Sequence, residues 1–312
     1  VRYIPKKFAK IAVPALCALL IGCAAPDDTK QAISGGGAFQ TTDLNQFFEC
    51  LEENNVTLIS AHRGGDPENS LTGMKKTLER IPAIMEIDIA TSKDGVLFLL
   101  HDDTLNRTTT GSGVAADKNW AEIEGLKVKD TSGRTYDEHP PRFDDVLDWA
   151  NGKTFLQIDF KRSTRYEDVV AAVKKADATD RIAYIAYTFA QARKLHRLHP
   201  DAMISMTLDD LEDYDRALAD GIPAENILGW TGNVQPDQAV FDQLNANDIE
   251  VIFGTLGGNS SIDNQIARSG NEARYSMIAS QGVDILATDR PFAAADAIKK
   301  AGREIYAPAC SR

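Results

Sequence analysis

A chain of 312 residues is long enough to bury one large core or two small ones. Its 43% apolar and 26% charged residues are the proportions of an ordinary globular protein, and the formal net charge of −12 argues against a nucleic-acid binder, which needs a basic face to displace counterions. An anionic substrate stays open, provided that a local cluster of cations or a metal meets it.

In chain order, the first element is a targeting segment. Arg2, Lys6, Lys7 and Lys10 precede IAVPALCALLIGCAA, a charged region followed by a short apolar one. The apolar run is shorter than the roughly 20 residues that span a bilayer. It ends Leu20-Ile21-Gly22-Cys23, which resembles a bacterial lipobox and implies lipidation of Cys23. The plainer reading is a signal peptide cleaved nearby, with Cys23 incidental. A small residue followed by Cys at the end of such a run favours the lipoprotein. On that reading residues 1–22 are a signal peptide that takes four cations and no acid with it, leaving a net charge of −16. Residues 23–44, small and polar with a Gly triplet at 35–37, form a flexible tether, and residues 45–312 form the domain. The protein is then exported and lipid-anchored to the bacterial cell envelope, facing the periplasm or the exterior, and meets the membrane only through that anchor.

From residue 57 onward short β-rich runs alternate with helical patterns. Strands are predicted at Thr57–Ala61, Ile84–Ala90, Thr154–Phe160, Arg181–Tyr187, Ala202–Thr207, Asn226–Gly229, Ile249–Thr255 and Val283–Ala287. Most precede an amphipathic segment, such as Tyr166–Ala176, Phe189–Leu198, Asp237–Asn245 or Pro291–Ala301; Leu71, Met74 and Leu78 stripe the first helix. Eight strand–helix units suggest a (β/α)₈ TIM barrel of the α/β class. A doubly wound open sheet shows the same alternation, but the count of eight and the absence of GxGxxG favour the barrel. After the second strand, Asp94-Gly95 between apolar runs predicts a hairpin, and the polar stretch 102–141 reads as an insertion over the barrel mouth.

Chemistry in a barrel sits where strands end. His62 follows the first strand and His101 follows the apolar run VLFLL. On the second strand Glu86 and Asp88 share a face, and on the third Gln157, Asp159 and Lys161 share one, so Glu86, Asp88 and Asp159 can converge. Three carboxylates suit one hard divalent cation, Ca²⁺ or Mg²⁺. Structural ion pairs with Lys161 and Arg63 are the plainer reading, and an E-x-D pair alone does not beat it. Two strand-end histidines beside the cluster do, because paired imidazoles can share general acid and base duties. His139, His196 and His199 read as solvated.

HRGGDPENS, EIDIATSKDGVLFLLHDDTLNRTTTGSG, LQIDFK and GVDILATDRP together resemble the glycerophosphodiester phosphodiesterases over nearly all of residues 57–301. The resemblance implies that Glu86, Asp88 and Asp159 bind the metal and that His62 and His101 are the acid/base pair. It further implies that Arg63 and Lys161 contact phosphate and that Asn69 is a polar site residue beside the metal, grouped with them as substrate-binding. The substrate would be a small glycerophosphodiester, hydrolysed to glycerol 3-phosphate and an alcohol. The family pattern carries Glu where this chain has Asp159, one methylene shorter, so the choice between Ca²⁺ and Mg²⁺ stays open. A barrel phosphodiesterase acting on phospholipid or lysophospholipid is the rival enzyme, and an apolar rim would favour it; the insertion is mostly polar. A non-catalytic surface binding protein is the rival of another class, and retention of His62, His101, Glu86 and Asp88 speaks against it. Oligomeric state has no signal in the sequence.

Cys50 lies just before the first strand and Cys310 after the last helix. A closed barrel brings its first and last units together, so in an oxidising compartment the two can form a disulfide, against a plainer reading of two unrelated thiols.

Overall fold

A computed structural model describes residues 44–310. The expected signal peptide, Cys23 and nearly all of the tether lie outside the described residues, as do residues 311 and 312.

The strands are β1 (Leu58–Ala61), β2 (Ile84–Thr91), β3 (Leu97–Leu99), β4 (Leu156–Phe160), β5 (Ile182–Ala186), β6 (Met203–Thr207), β7 (Ile227–Trp230), β8 (Glu250–Gly254) and β9 (Ile285–Thr288). All pair in parallel except β3, which runs antiparallel to β2. β1 pairs with both β9 and β2, which closes a barrel of eight parallel strands among the described residues. The alternation read from the sequence is the reason. Met85, Ile87 and Ile89 point outward into the apolar layer beneath the surrounding helices, and Ile84, Glu86 and Asp88 point into the barrel.

Going up the barrel, β2 thus presents one apolar residue and then two acids. The lower interior is a second apolar cluster of Leu58, Ile84, Phe155, Leu228, Ile252 and Ile285. The helix Leu44–Glu53 closes this end with Phe47, Phe48 and Leu51, which are at most 5% exposed. Burying an aromatic or Leu side chain is worth about 1.5–3 kcal/mol, so the helix is a plug with its own hydrophobic anchorage. Cys50 of that helix is bonded to Cys310, with Cα atoms 5.5 Å apart. The first and last of the described elements are thus joined at the end of the barrel opposite the polar interior.

The insertion has a small core of Phe98, Leu100, Leu105, Ala115, Trp120 and Ile123. It docks on the first βα loop: Glu138 accepts from the N–H groups of Leu71 and Thr72 at 2.7 and 3.0 Å, capping the helix Leu71–Arg80. One sequence expectation is corrected here. His199 is buried, 3% exposed, with Nδ1 3.0 Å from the Tyr184 hydroxyl and Nε2 3.1 Å from the Thr179 hydroxyl. It caps the helix Phe189–Leu198, where the chain turns back onto the barrel wall and leaves the polar face from which its exposure was read. His139 and His196 are half-buried, and the His139 ring stands edge-on to Trp120.

Candidate active site

β1 ends at Ala61 and the chain turns at once. Arg63 takes φ 55°, a left-handed conformation uncommon for a residue with a side chain, and its N–H donates to Glu86 Oε2 at 2.8 Å. Gly64 follows with φ 72°, and a Cβ there would fall 2.5 Å from Cγ of Met74, so the loop and the next helix pack too closely for any side chain. Asn69 is also left-handed, with φ 51°, and 4% exposed. Its Nδ2 donates to Asp88 Oδ2 at 2.7 Å and its Oδ1 accepts from the Asp88 N–H at 3.0 Å. Asn69 thus stands beside the acid cluster, where the reach of its carboxamide to Asp88 orients that carboxylate.

The register places Asp88 opposite Asp159, and oxygens of Glu86, Asp88 and Asp159 lie within 4.8 Å of one another. Lys161 Nζ bridges Asp88 at 2.6 Å and Asp159 at 2.7 Å, and the Tyr187 hydroxyl donates to Asp159 at 3.0 Å. Burial, reinforced by the charge on Asp88, pushes the Glu86 carboxyl up to about 8. Burial acts on Asp88 in the same direction, but the ammonium of Lys161 outweighs it and holds Asp88 below the usual carboxylate range. Burial disfavours the charged form of Lys161 too, and the two aspartates overcome it, raising its pKa.

Both histidines rest Nδ1 on an aspartate. His62 Nδ1 is 2.5 Å from Asp289 Oδ1 and its Nε2 is 3.9 Å from Glu86; His101 Nδ1 is 2.9 Å from Asp102 Oδ1. Burial lowers the pKa of His62, but the Asp289 bond and the charges of Glu86 and Asp289 prevail and raise it. His101 reaches the site by a different road from the one its strand-like run suggests. β3 comes back down beside β2, with Leu100 N–H on the Asp88 carbonyl at 3.0 Å, so the hairpin delivers His101 to the level of the acids.

A cavity of about 240 Å³ at the barrel mouth is lined by His62, His101, Glu86, Asp88, Asp159 and Lys161. Its remaining wall includes Tyr187, Trp230 and Leu256. Arg63 lies instead on an adjoining groove of about 470 Å³, with its guanidinium on Glu68 at 3.0 Å. The sequence reading brought no role to Asp289, Tyr187 or Trp230. The first stood in the quoted run ATDRP, but its partner is 227 positions away; the other two stand at or just past strand ends, a position that marks a mouth residue without a role.

The sequence profile described as the glycerophosphoryl diester phosphodiesterase family matches residues 61–293. The chain is 34% identical to YqiK of Bacillus subtilis over 180 residues, 54% of this chain and 74% of that protein. It is 24% identical to a glycerophosphodiester phosphodiesterase of Caldanaerobacter subterraneus, over 79% of this chain and 99% of that one. The crystal structure of a glycerophosphoryl diester phosphodiesterase from Parabacteroides distasonis superposes with a TM-score of 0.78 at 29% identity, covering 86% of this chain and 95% of that one. With the closed barrel, the converging acids and a profile match over most of its length, the chain belongs to the glycerophosphoryl diester phosphodiesterase family.

Proposed function

We propose that this chain hydrolyses glycerophosphodiesters to glycerol 3-phosphate and an alcohol, with His62 and His101 as the acid/base pair beside a divalent cation held by Glu86, Asp88 and Asp159. One observation carries the reading: two imidazoles, each tethered at Nδ1 by an aspartate, line a single cavity with three carboxylates and a lysine.

The carboxylates fit a cation on their own chemistry. They are hard oxygen donors, buried and gathered within 4.8 Å of one another. Ca²⁺ and Mg²⁺ both suit such donors. The bound cation would supply positive charge where negative charge builds on the phosphoryl oxygens. Lys161 adds to that charge from the chain itself, and its ammonium is fixed by two aspartates before substrate arrives.

A tethered Nδ1 leaves Nε2 as the nitrogen that exchanges a proton with substrate. One imidazole takes the proton of the attacking hydroxyl, whose oxygen bonds to phosphorus; the other gives its proton to the departing alkoxide as the old P–O bond breaks. Water as nucleophile gives the monoester directly. The glycerol hydroxyl as nucleophile gives a cyclic phosphate, which water then opens with the two imidazoles in exchanged roles.

A second reading has its own observation. Tyr187, 62% exposed, lines the cavity together with Trp230, Leu256 and Ile185, which give it one apolar side. A diester carrying an aliphatic arm, such as a lysophospholipid, is the substrate that this rim suits. As for location, the lipobox-like sequence at Cys23 supports an exported, lipid-anchored protein.

A panel of glycerophosphodiesters and lysophospholipids, assayed for glycerol 3-phosphate with and without EDTA, tests the proposal. Turnover of the small diesters, abolished by EDTA and lowered roughly 10²–10⁴-fold in kcat by His62→Ala and by His101→Ala, is the expected result. Full turnover in exhaustive chelator removes the cation; near-normal kcat in either variant removes that histidine; preference for lysophospholipids favours the second reading.

A further inference from the structure

His101 stands on the segment returning from β3, at the root of the insertion, and Asp102 is its neighbour in the chain. A contact between adjacent residues fixes neither side chain relative to the barrel. Arg107 does. Its Nε and Nη2 each donate at 2.8 Å to the two oxygens of Asp102, and its Nη1 and Nη2 donate to the two oxygens of Glu68 at 2.6 and 2.7 Å. One guanidinium thus holds two carboxylates in two forks, which a planar five-donor group can do and an ammonium cannot.

Glu68 belongs to the first loop. It also accepts from Arg63 Nη1 at 3.0 and 3.2 Å, and the Arg63 N–H donates to Glu86. The links run without a break from His101 through Asp102, Arg107, Glu68 and Arg63 to Glu86. The insertion meets the same loop again where Asp66 accepts from the Thr131 N–H at 3.1 Å. The imidazole is therefore referenced to the loop that touches the acid cluster.

We propose that Arg107 is the positioning residue of His101, holding the imidazole in register with the carboxylate cluster through Asp102 on one side and Glu68 on the other. The proposal rests on His101 acting in the reaction. A plain staple between loop and insertion is the competing role. The two roles part in whether the loss of kcat on removing Arg107 needs the imidazole.

The test is a mutant cycle on the metal-supplemented protein with a small glycerophosphodiester, using Arg107→Ala, Arg107→Lys, His101→Ala and the double variant Arg107→Ala/His101→Ala. Arg107→Ala is expected to lower kcat about 10–100-fold with KM within about threefold. Arg107→Lys should fail to restore it, because it keeps the charge and loses the forks. On the His101→Ala background, Arg107→Ala should cost less than about twofold more, because its effect travels through the missing imidazole. An equal loss in both backgrounds, an unchanged kcat in Arg107→Ala or full rescue by Lys overturns the positioning role. Wild-type kcat in His101→Ala overturns the acid/base reading instead. If Arg107→Ala does not fold, Glu68→Gln carries the same cycle and is judged by the same outcomes.

Discussion

The two histidines share a motif and differ in what holds it. His62 leans on Asp289, and Asp289 is fixed mainly by backbone. Its Oδ2 accepts from the Gly257 N–H at 3.0 Å, and its own N–H donates to Asp263 at 2.7 Å. Asp263 is 1% exposed and accepts from the Tyr275 and Thr288 hydroxyls at 2.7 and 2.9 Å. His101 leans on Asp102, which is fixed by the side chain of Arg107. Backbone donors come ordered with the fold, whereas an arginine must lose rotamer freedom to serve. The first dyad is built into the barrel; the second is assembled when the insertion docks. The pull on the two acids matches. The Arg107 bonds hold Asp102 far below the usual carboxylate range, while at Asp289 burial pushes upward and the His62 bond outweighs it.

The largest test of this contrast is a pair of isosteric changes. Asp289→Asn should lower kcat about 10²–10⁴-fold, because Asn still fills the site but no longer carries the charge that orients and stabilises the imidazolium. Asp102→Asn should cost only about 10–100-fold, because Arg107 still holds the amide oxygen. Steady-state kinetics on the two variants decide it, and equal losses dissolve the distinction between a built-in and an assembled dyad.

The same contrast explains what the sequence made legible. All eight barrel strands read correctly to within two residues at either end, because a period-2 pattern with one buried face is local information. The three acids converged as their alternation implied. Asp102 is visible as the H-D pair, since its partner is adjacent. Asp289 carries no local sign of pairing with His62, because that contact exists only once β9 closes against β1. Asn69 was legible only in part for a related reason: polarity near a site is readable, while the bonds of its carboxamide to Asp88 are not. His199 was misread because helical periodicity stops informing at the cap.

The opposite end of the barrel serves as a control for both dyads. The Cys50–Cys310 bond spans 260 positions and ties the plug helix to the last described turn, Pro308–Cys310, far from either histidine in the barrel's order of layers. Cys50→Ser/Cys310→Ser should cost about 2–5 kcal/mol of stability, since closing a long loop restricts the unfolded chain. Urea unfolding measures that loss, and kcat at 25 °C should not move. A fall in kcat without loss of stability makes the plug part of the site.

The smallest effect comes from His199, which isolates what a carboxylate partner does to a buried imidazole. His62 faces carboxylates and its pKa rises; His199 faces two hydroxyls, burial dominates, and its pKa falls. The signs for stability are therefore opposite. For His62 the folded state binds the proton more tightly, so its contribution is present below the unfolded pKa of about 6.5 and fades as pH rises through the folded value. For His199 the unfolded state takes the proton first, so stability drops as pH falls below about 6.5 and levels off beneath the folded value. One proton sets a ceiling of about 1.4 kcal/mol per pH unit on that slope. His199→Gln keeps a hydrogen-bonding group at the Nε2 end, which faces Thr179, and removes the titration. Urea unfolding at pH 7.5 and 5.5 should show the wild type losing more stability than His199→Gln over that interval. Equal losses would mean that His199 charges as readily folded as unfolded, and that its two hydroxyl partners offset its burial.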